Sequence, residues 1–113
     1  MLYDTALADR IRLYLADIPN LEFEEKKMFR GLTFMVNDKM CVCVSGENLM
    51  CRFDPKIQEE LANKIGYQPM IMKGKEYKGY CYILPEGIIS KKDFEYFVDK
   101  CVNFNKIAKS SKK

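Results

Sequence analysis

The sequence predicts an α+β fold: two layers, with a mostly antiparallel sheet backed by helices. Two observations carry this. Short apolar runs between Met28 and Arg52 follow one another across tight turns, as hairpins do, instead of alternating singly with helices. Three other segments repeat apolar residues at helical spacing, each behind a capping residue: Asp4, Asp54 and Ser90. The predicted order is α-β-β-β-α-β-β-α, and at 113 residues there is room for one domain, 1–113.

The first helix is capped by Asp4 and carries Leu7, Ile11, Tyr14, Leu15 and Ile18 on one face until Pro19-Asn20 ends it. Leu21 to Phe29 mixes apolar residues with Glu22, Glu24, Glu25, Lys26 and Lys27, which suits a half-exposed strand at a sheet edge and would make a fourth strand in this group. Leu32–Val36 and Met40–Val44 flank Asn37-Asp38, two residues that tolerate the positive φ of a two-residue hairpin loop. That loop pairs Val36 with Lys39, Phe34 with Cys41 and Leu32 with Cys43. A second loop at Gly46-Glu47 leads into Leu49–Phe53 and pairs Cys43 with Met50 and Cys41 with Arg52.

These registers place Leu32, Phe34, Val36, Cys41, Cys43, Met50 and Arg52 on one face, and Thr33, Met35, Met40, Val42, Val44, Leu49, Cys51 and Phe53 on the other. Both faces are largely apolar, so the second needs a cover: helices on both sides of the sheet, or another copy of the chain. Asp54-Pro55 opens a second helix with Ile57, Leu61 and Ile65 as its stripe and Gly66 as its stop. Met70–Met72 and Tyr77–Leu84 are strands around Lys73-Gly74-Lys75-Glu76. Ser90 and Asp93 form a capping pair before Phe94, Phe97, Val98, Cys101 and Asn105, and the tail after Ile107 is expected to fray.

The formal charge is +3, but the last eight residues hold four lysines and no acid, leaving Met1–Asn105 at −1. The basic character lies in the 106–113 tail, whereas a face built to neutralise many phosphates usually leaves the domain itself basic. The five cysteines, Cys41, Cys43, Cys51, Cys81 and Cys101, sit inside apolar runs, which points to buried free thiols in a reducing compartment. The first residues lack the pattern of a signal peptide and no run is long enough to cross a membrane, so a soluble cytoplasmic protein is expected.

With no histidine, the Ser-His-Asp and Cys-His nucleophile systems and histidine metal sites are excluded. No glycine-rich phosphate loop is present, and no cofactor or metal is implied. Cys41 and Cys43 would share a strand face, with Cys51 turned to the other; the readings are structural thiols or thiolate metal or redox chemistry. Lys73, Lys75 and Lys78 near Tyr77, Tyr80 and Tyr82 could contact phosphates and stack a base, or form a solvated hairpin tip. Arg52, placed among Phe34, Cys41, Cys43 and Met50, is either a rim residue with a packed stem or an anchor for a partner. The candidate interaction residues are therefore Phe34, Met50, Arg52, Lys73, Lys75, Lys78 and Tyr80.

Met28-Phe29, Gly31-Leu32-Thr33-Phe34-Met35-Val36-Asn37, Lys39-Met40-Cys41, Val44-Ser45-Gly46, Leu49-Met50 with Arg52, Pro69-Met70 and Lys78-Gly79-Tyr80 resemble the TfoX/Sxy N-terminal domain family over nearly the whole chain. Arg30 and Asp38 stand where that family usually has glycine. The resemblance implies a fold similar to secretion chaperones, and an association with DNA uptake in which full-length members act as transcriptional coregulators. It implies no catalytic residues. The expectation is a non-enzymatic, homodimeric interaction module with a transcription factor or another protein as partner, direct nucleic-acid binding through Lys73–Lys78 and the tail being the alternative.

Overall fold

A computed structural model describes residues 3–28 and 31–108 of the chain. Helix α1 spans Thr5–Ala16, and its cap is the expected one: Asp4 is extended and its Oδ1 accepts from the N–H groups of Ala6 (2.9 Å) and Leu7 (3.2 Å). Leu7, Ala8, Ile11 and Leu15 form the buried stripe. Asn20, at φ 64°, turns the chain into β1, Phe23–Met28.

Strands β2 (Gly31–Val36), β3 (Lys39–Ser45) and β4 (Asn48–Arg52) follow, then a 3₁₀ turn at Pro55–Ile57 and helix α2, Gln58–Ala62. Strands β5 (Tyr67–Met72) and β6 (Lys75–Ile83) and helix α3 (Lys91–Asn105) complete the chain. The strands form one six-stranded antiparallel sheet in the order β1-β2-β3-β4-β6-β5. The fold is thus α+β in the order α-β-β-β-β-α-β-β-α, with the charged edge segment supplying the fourth strand.

The Asn37-Asp38 loop forms as its residue types require: their φ angles are 55° and 63°, and Val36 opposes Lys39. Asp38 therefore takes up a left-handed conformation, while Arg30 lies outside the described residues. Beyond the loop the register departs from expectation. Met35 opposes Met40, but Phe34 opposes Val42 and Leu32 opposes Val44, because Cys41 is an extra residue on β3. Such a bulge puts two consecutive side chains on one side of the sheet. Cys41 and Val42 accordingly both join the helix-side core, with Val44, Leu49 and Cys51, while Cys43 falls to the opposite face. The Gly46-Glu47 loop gives the expected pairing of Cys43 with Met50.

Helices α1 and α3 cover one sheet face, over Phe34, Val42, Leu49, Phe53 and Ile83, all fully buried. Among the described residues, the cluster on the other face is made of strand residues alone. Its residues Met35, Met40, Cys43, Met50 and Met70 are nonetheless between 0 and 7% exposed, in a cluster that runs from Met28 on β1 to Met70 on β5 with Tyr80 and Tyr82 against it. Flexible thioether chains fill irregular space and shield one another. Those five side chains reach this burial within one chain, while Met28, Tyr80 and Tyr82 at the margin of the cluster are only partly buried.

The second helix is shorter than its stripe suggested. It stops at Ala62, so Leu61 is buried while Ile65 falls beyond the end and is exposed. Gly66 turns at φ 88°, where a Cβ would lie 3.0 Å from the backbone of Gly87. Half of the expected capping pair is seen on α3, as Ser90 Oγ accepts from Asp93 N–H at 3.0 Å. The C-terminal end of α3 is fastened to the β2–β3 loop: Asn105 Nδ2 donates to Val36 O (3.1 Å), Asn37 Nδ2 to Asn105 Oδ1 (3.3 Å), and Lys39 Nζ to Asn105 O and Ala108 O. A cation there also complements the helix dipole. Of the tail, Lys109 to Lys113 lie outside the described residues.

Candidate functional site

The β5–β6 hairpin extends as an arm, every residue from Ile71 to Lys78 being exposed. Its loop is the two residues Lys73-Gly74, at φ 54° and 80°. Below the tip the ladder is irregular: Ile71 opposes Glu76, yet Pro69 opposes Cys81, so Tyr77–Tyr80 on β6 lie against Met70 alone on β5. In a regular strand Tyr77 and Tyr80, three apart, would point to opposite faces. The bulge brings them together, with ring centroids 4.8 Å apart and planes 19° from parallel.

The bulge is held from beneath. Gly79, at φ 85°, donates its N–H to Gln58 Oε1 (2.8 Å) and accepts from Phe53 N–H (2.9 Å). A Cβ on residue 79 would lie 3.2 Å from Phe53 O and from the ring of Pro55. Gln58 is buried, and its Nε2 donates to Tyr67 Oη (2.6 Å) and to Glu76 Oε2 (3.2 Å). One amide therefore ties α2 to both strands of the arm and engages its only carboxylate.

The sequence-derived candidates separate into two groups. Phe34 and Met50 are buried and lie on opposite faces, Phe34 under the helices and Met50 in the methionine cluster, because the Cys41 bulge changed their relation. Arg52, Lys73, Lys75, Lys78 and Tyr80 all belong to the arm or its base. Arg52 opposes Tyr80, and its guanidinium carbon lies 5.8 Å from the Tyr80 ring and 5.8 Å from that of Phe104. Its surroundings are therefore aromatic. Burial pushes the Tyr80 hydroxyl pKa up, and Arg52 opposes that shift. Among the described residues none of Lys73, Lys75 and Lys78 pairs with a carboxylate.

All five thiols are free and buried. The bulge also regroups them: Cys41 and Cys51, expected on opposite faces, both lie in the helix-side core with Cys81 and Cys101. Hydrogen bonding to Cys101 and Cys81, together with burial, holds the Cys51 thiol well above its ordinary pKa, and burial does the same for Cys41. Cys43 is pushed up to about 11 by burial, partly opposed by Thr33, whose hydroxyl donates to its sulfur at 3.3 Å. Groups so protonated are poor nucleophiles at neutral pH. Among the described residues no cluster of three or more cysteine or carboxylate ligands is arranged to hold a metal.

A second surface escaped the sequence reading. Leu13, 69% exposed, and Ile89, 79% exposed, line a groove of about 450 Å³ between α1 and the start of α3. Phe94 contributes to its lining, with the Arg10 guanidinium 4.2 Å from the ring, and Asp17, Lys91 and Glu95 supply charges of both signs. The available signals were a leucine off the buried stripe of the first helix and an isoleucine immediately before the Ser90 cap.

In comparison with known proteins, the family model described as TfoX N-terminal domain matches residues 14–105. No curated protein and no solved structure matches the chain.

Proposed function

The chain belongs to the TfoX N-terminal domain family, and on that premise we propose that it is a non-enzymatic module that acts in regulation by contacting another protein. The observation that carries this reading is the groove between α1 and α3. Two large aliphatic side chains stand more than two thirds exposed beside Phe94, within a rim of both charge signs. An apolar centre inside a polar rim is the composition of a protein interface, and exposed apolar patches on small domains commonly mark one. The missing histidine, and the burial that pushes the Cys41, Cys43 and Cys51 thiols up, support a role without catalysis. By the resemblance, the partner is a transcription regulator in DNA uptake; a second copy of the chain is the competing occupant.

A photo-crosslinking residue in place of Leu13 tests the reading. In nuclease-treated native extract it should give a discrete adduct, identified by mass spectrometry as a transcription regulator and lost when Ile89→Lys is added. Sedimentation of the pure protein separates self-association from this. Adducts no different from those formed at exposed Lys56, or an adduct with the chain itself, would reject the proposed partner.

A further inference from the structure

We propose that the β5–β6 arm is a binding platform for single-stranded nucleic acid, distinct from the α1–α3 groove. Stacking surface and cations are both present, and the fold pre-arranges them. The Tyr77–Tyr80 stack exists only because β6 is bulged, and the bulge is pinned by the buried Gln58 at a glycine whose conformation a side chain would strain. An aromatic pair that only filled core space would be enclosed, but Tyr77 is 48% exposed. Arg52 adds a cation beside the inner ring, 5.8 Å from its centroid.

Around this stack Lys73, Lys75 and Lys78 are exposed, and the one acid of the arm, Glu76, is engaged by Gln58 and Tyr67. The stretch Ile71–Lys78 carries a net +2 on a body that is close to neutral. A positive track beside a π-face is what binds single strands without sequence preference: the phosphates meet the lysines and a base extends the stack. A duplex keeps its base faces covered and could use only the charges, which is why the occupant is a single strand. An acidic protein segment would be served by the lysines and would leave the stacked rings without a role.

The test is fluorescence anisotropy with labelled twelve-nucleotide oligothymidylate and the full chain. Wild type should bind saturably at low salt, with log affinity falling against log salt at a slope of about −2 for three phosphate contacts. Tyr77→Ala should weaken binding roughly tenfold to a hundredfold while Tyr77→Phe, which keeps the ring, restores it. Lys73→Glu/Lys75→Glu/Lys78→Glu should abolish binding, and Leu13→Asp should leave it unchanged, so failure here is separable from failure of the protein-contact reading. All substituted side chains are exposed, and matching thermal melts control for folding. The proposal is overturned by absence of saturable binding, by equal affinity of Tyr77→Ala and wild type, by equal affinity for duplex, or by polyglutamate competing as well as oligothymidylate.

Discussion

The two edges of the sheet solve the same problem differently. β1 pairs with β2 through six consecutive residues without irregularity, and Glu24, Glu25, Lys26 and Lys27 line it with charge. Arg12 reaches from α1 to clamp Glu25 through Nε (2.6 Å) and Nη2 (2.8 Å), and also meets Asp9. Beside it Glu22, Glu24 and Asp38 surround a cleft of about 230 Å³, which repels anions. β5, at the other edge, has no charged residue. Leu84 N–H donates to Gly66 O at 2.8 Å, so by antiparallel alternation Gln68 faces β6 while Tyr67 and Pro69 turn their backbones outward. Proline offers no donor there. An edge closed by charge must keep its charges; an edge closed by proline and a bulge leaves its side chains free for other work.

The largest expected effect comes from removing the pin under the arm. Gln58→Ala leaves the buried Gly79 N–H without its acceptor and should cost about 2 kcal/mol, with near-ultraviolet circular dichroism reporting loss of the tyrosine stack. If stability and spectrum are both unchanged, the arm is not held by Gln58.

On the opposite edge, Arg12→Met should cost less, about 0.5 kcal/mol, since both partners are partly exposed. Hydrogen bonding to Arg12 holds the Glu25 carboxylate below its ordinary pKa. A depressed folded-state pKa stabilises above the unfolded value and is lost as pH falls through the folded one. The stability difference between wild type and Arg12→Met should therefore be present at neutral pH and shrink on acidification through the carboxylate range, measured by denaturant titration. A difference that persists in acid would show packing of the Arg12 stem instead.

Pro69→Thr should change stability little and yet promote self-association, because it restores an outward N–H to the open edge. Sedimentation showing no added association would mean that the arm geometry, and not the proline, protects this side. The smallest expected signal is none: an Ellman titration at pH 8 should find no reactive thiol in the native protein and five after denaturation, since every cysteine is buried.

Much of the fold was legible. Asp4 and Ser90 capped the helices they were expected to cap, and Asn37-Asp38 and Gly46-Glu47 made the expected loops. What could not be read was the pair of bulges, because nothing in Met40-Cys41-Val42 says that one residue will be left unpaired. The Cys41 bulge separated Phe34 from Met50 and gathered four thiols on one side. The Tyr77–Tyr80 bulge created a stack that strict alternation forbids. The lysines and Tyr80 were visible as types; their convergence with Tyr77 and Arg52 depends on Gln58, a residue distant in sequence with no local signal.

The contrast between the edges is tested most directly by amide chemical-shift mapping of the isotope-labelled chain during titration with twelve-nucleotide oligothymidylate. Shifts confined to Ile71–Tyr80 and Arg52, with Phe23–Met28 and the helices silent, are expected. No shifts, or shifts centred on β1, would contradict the account.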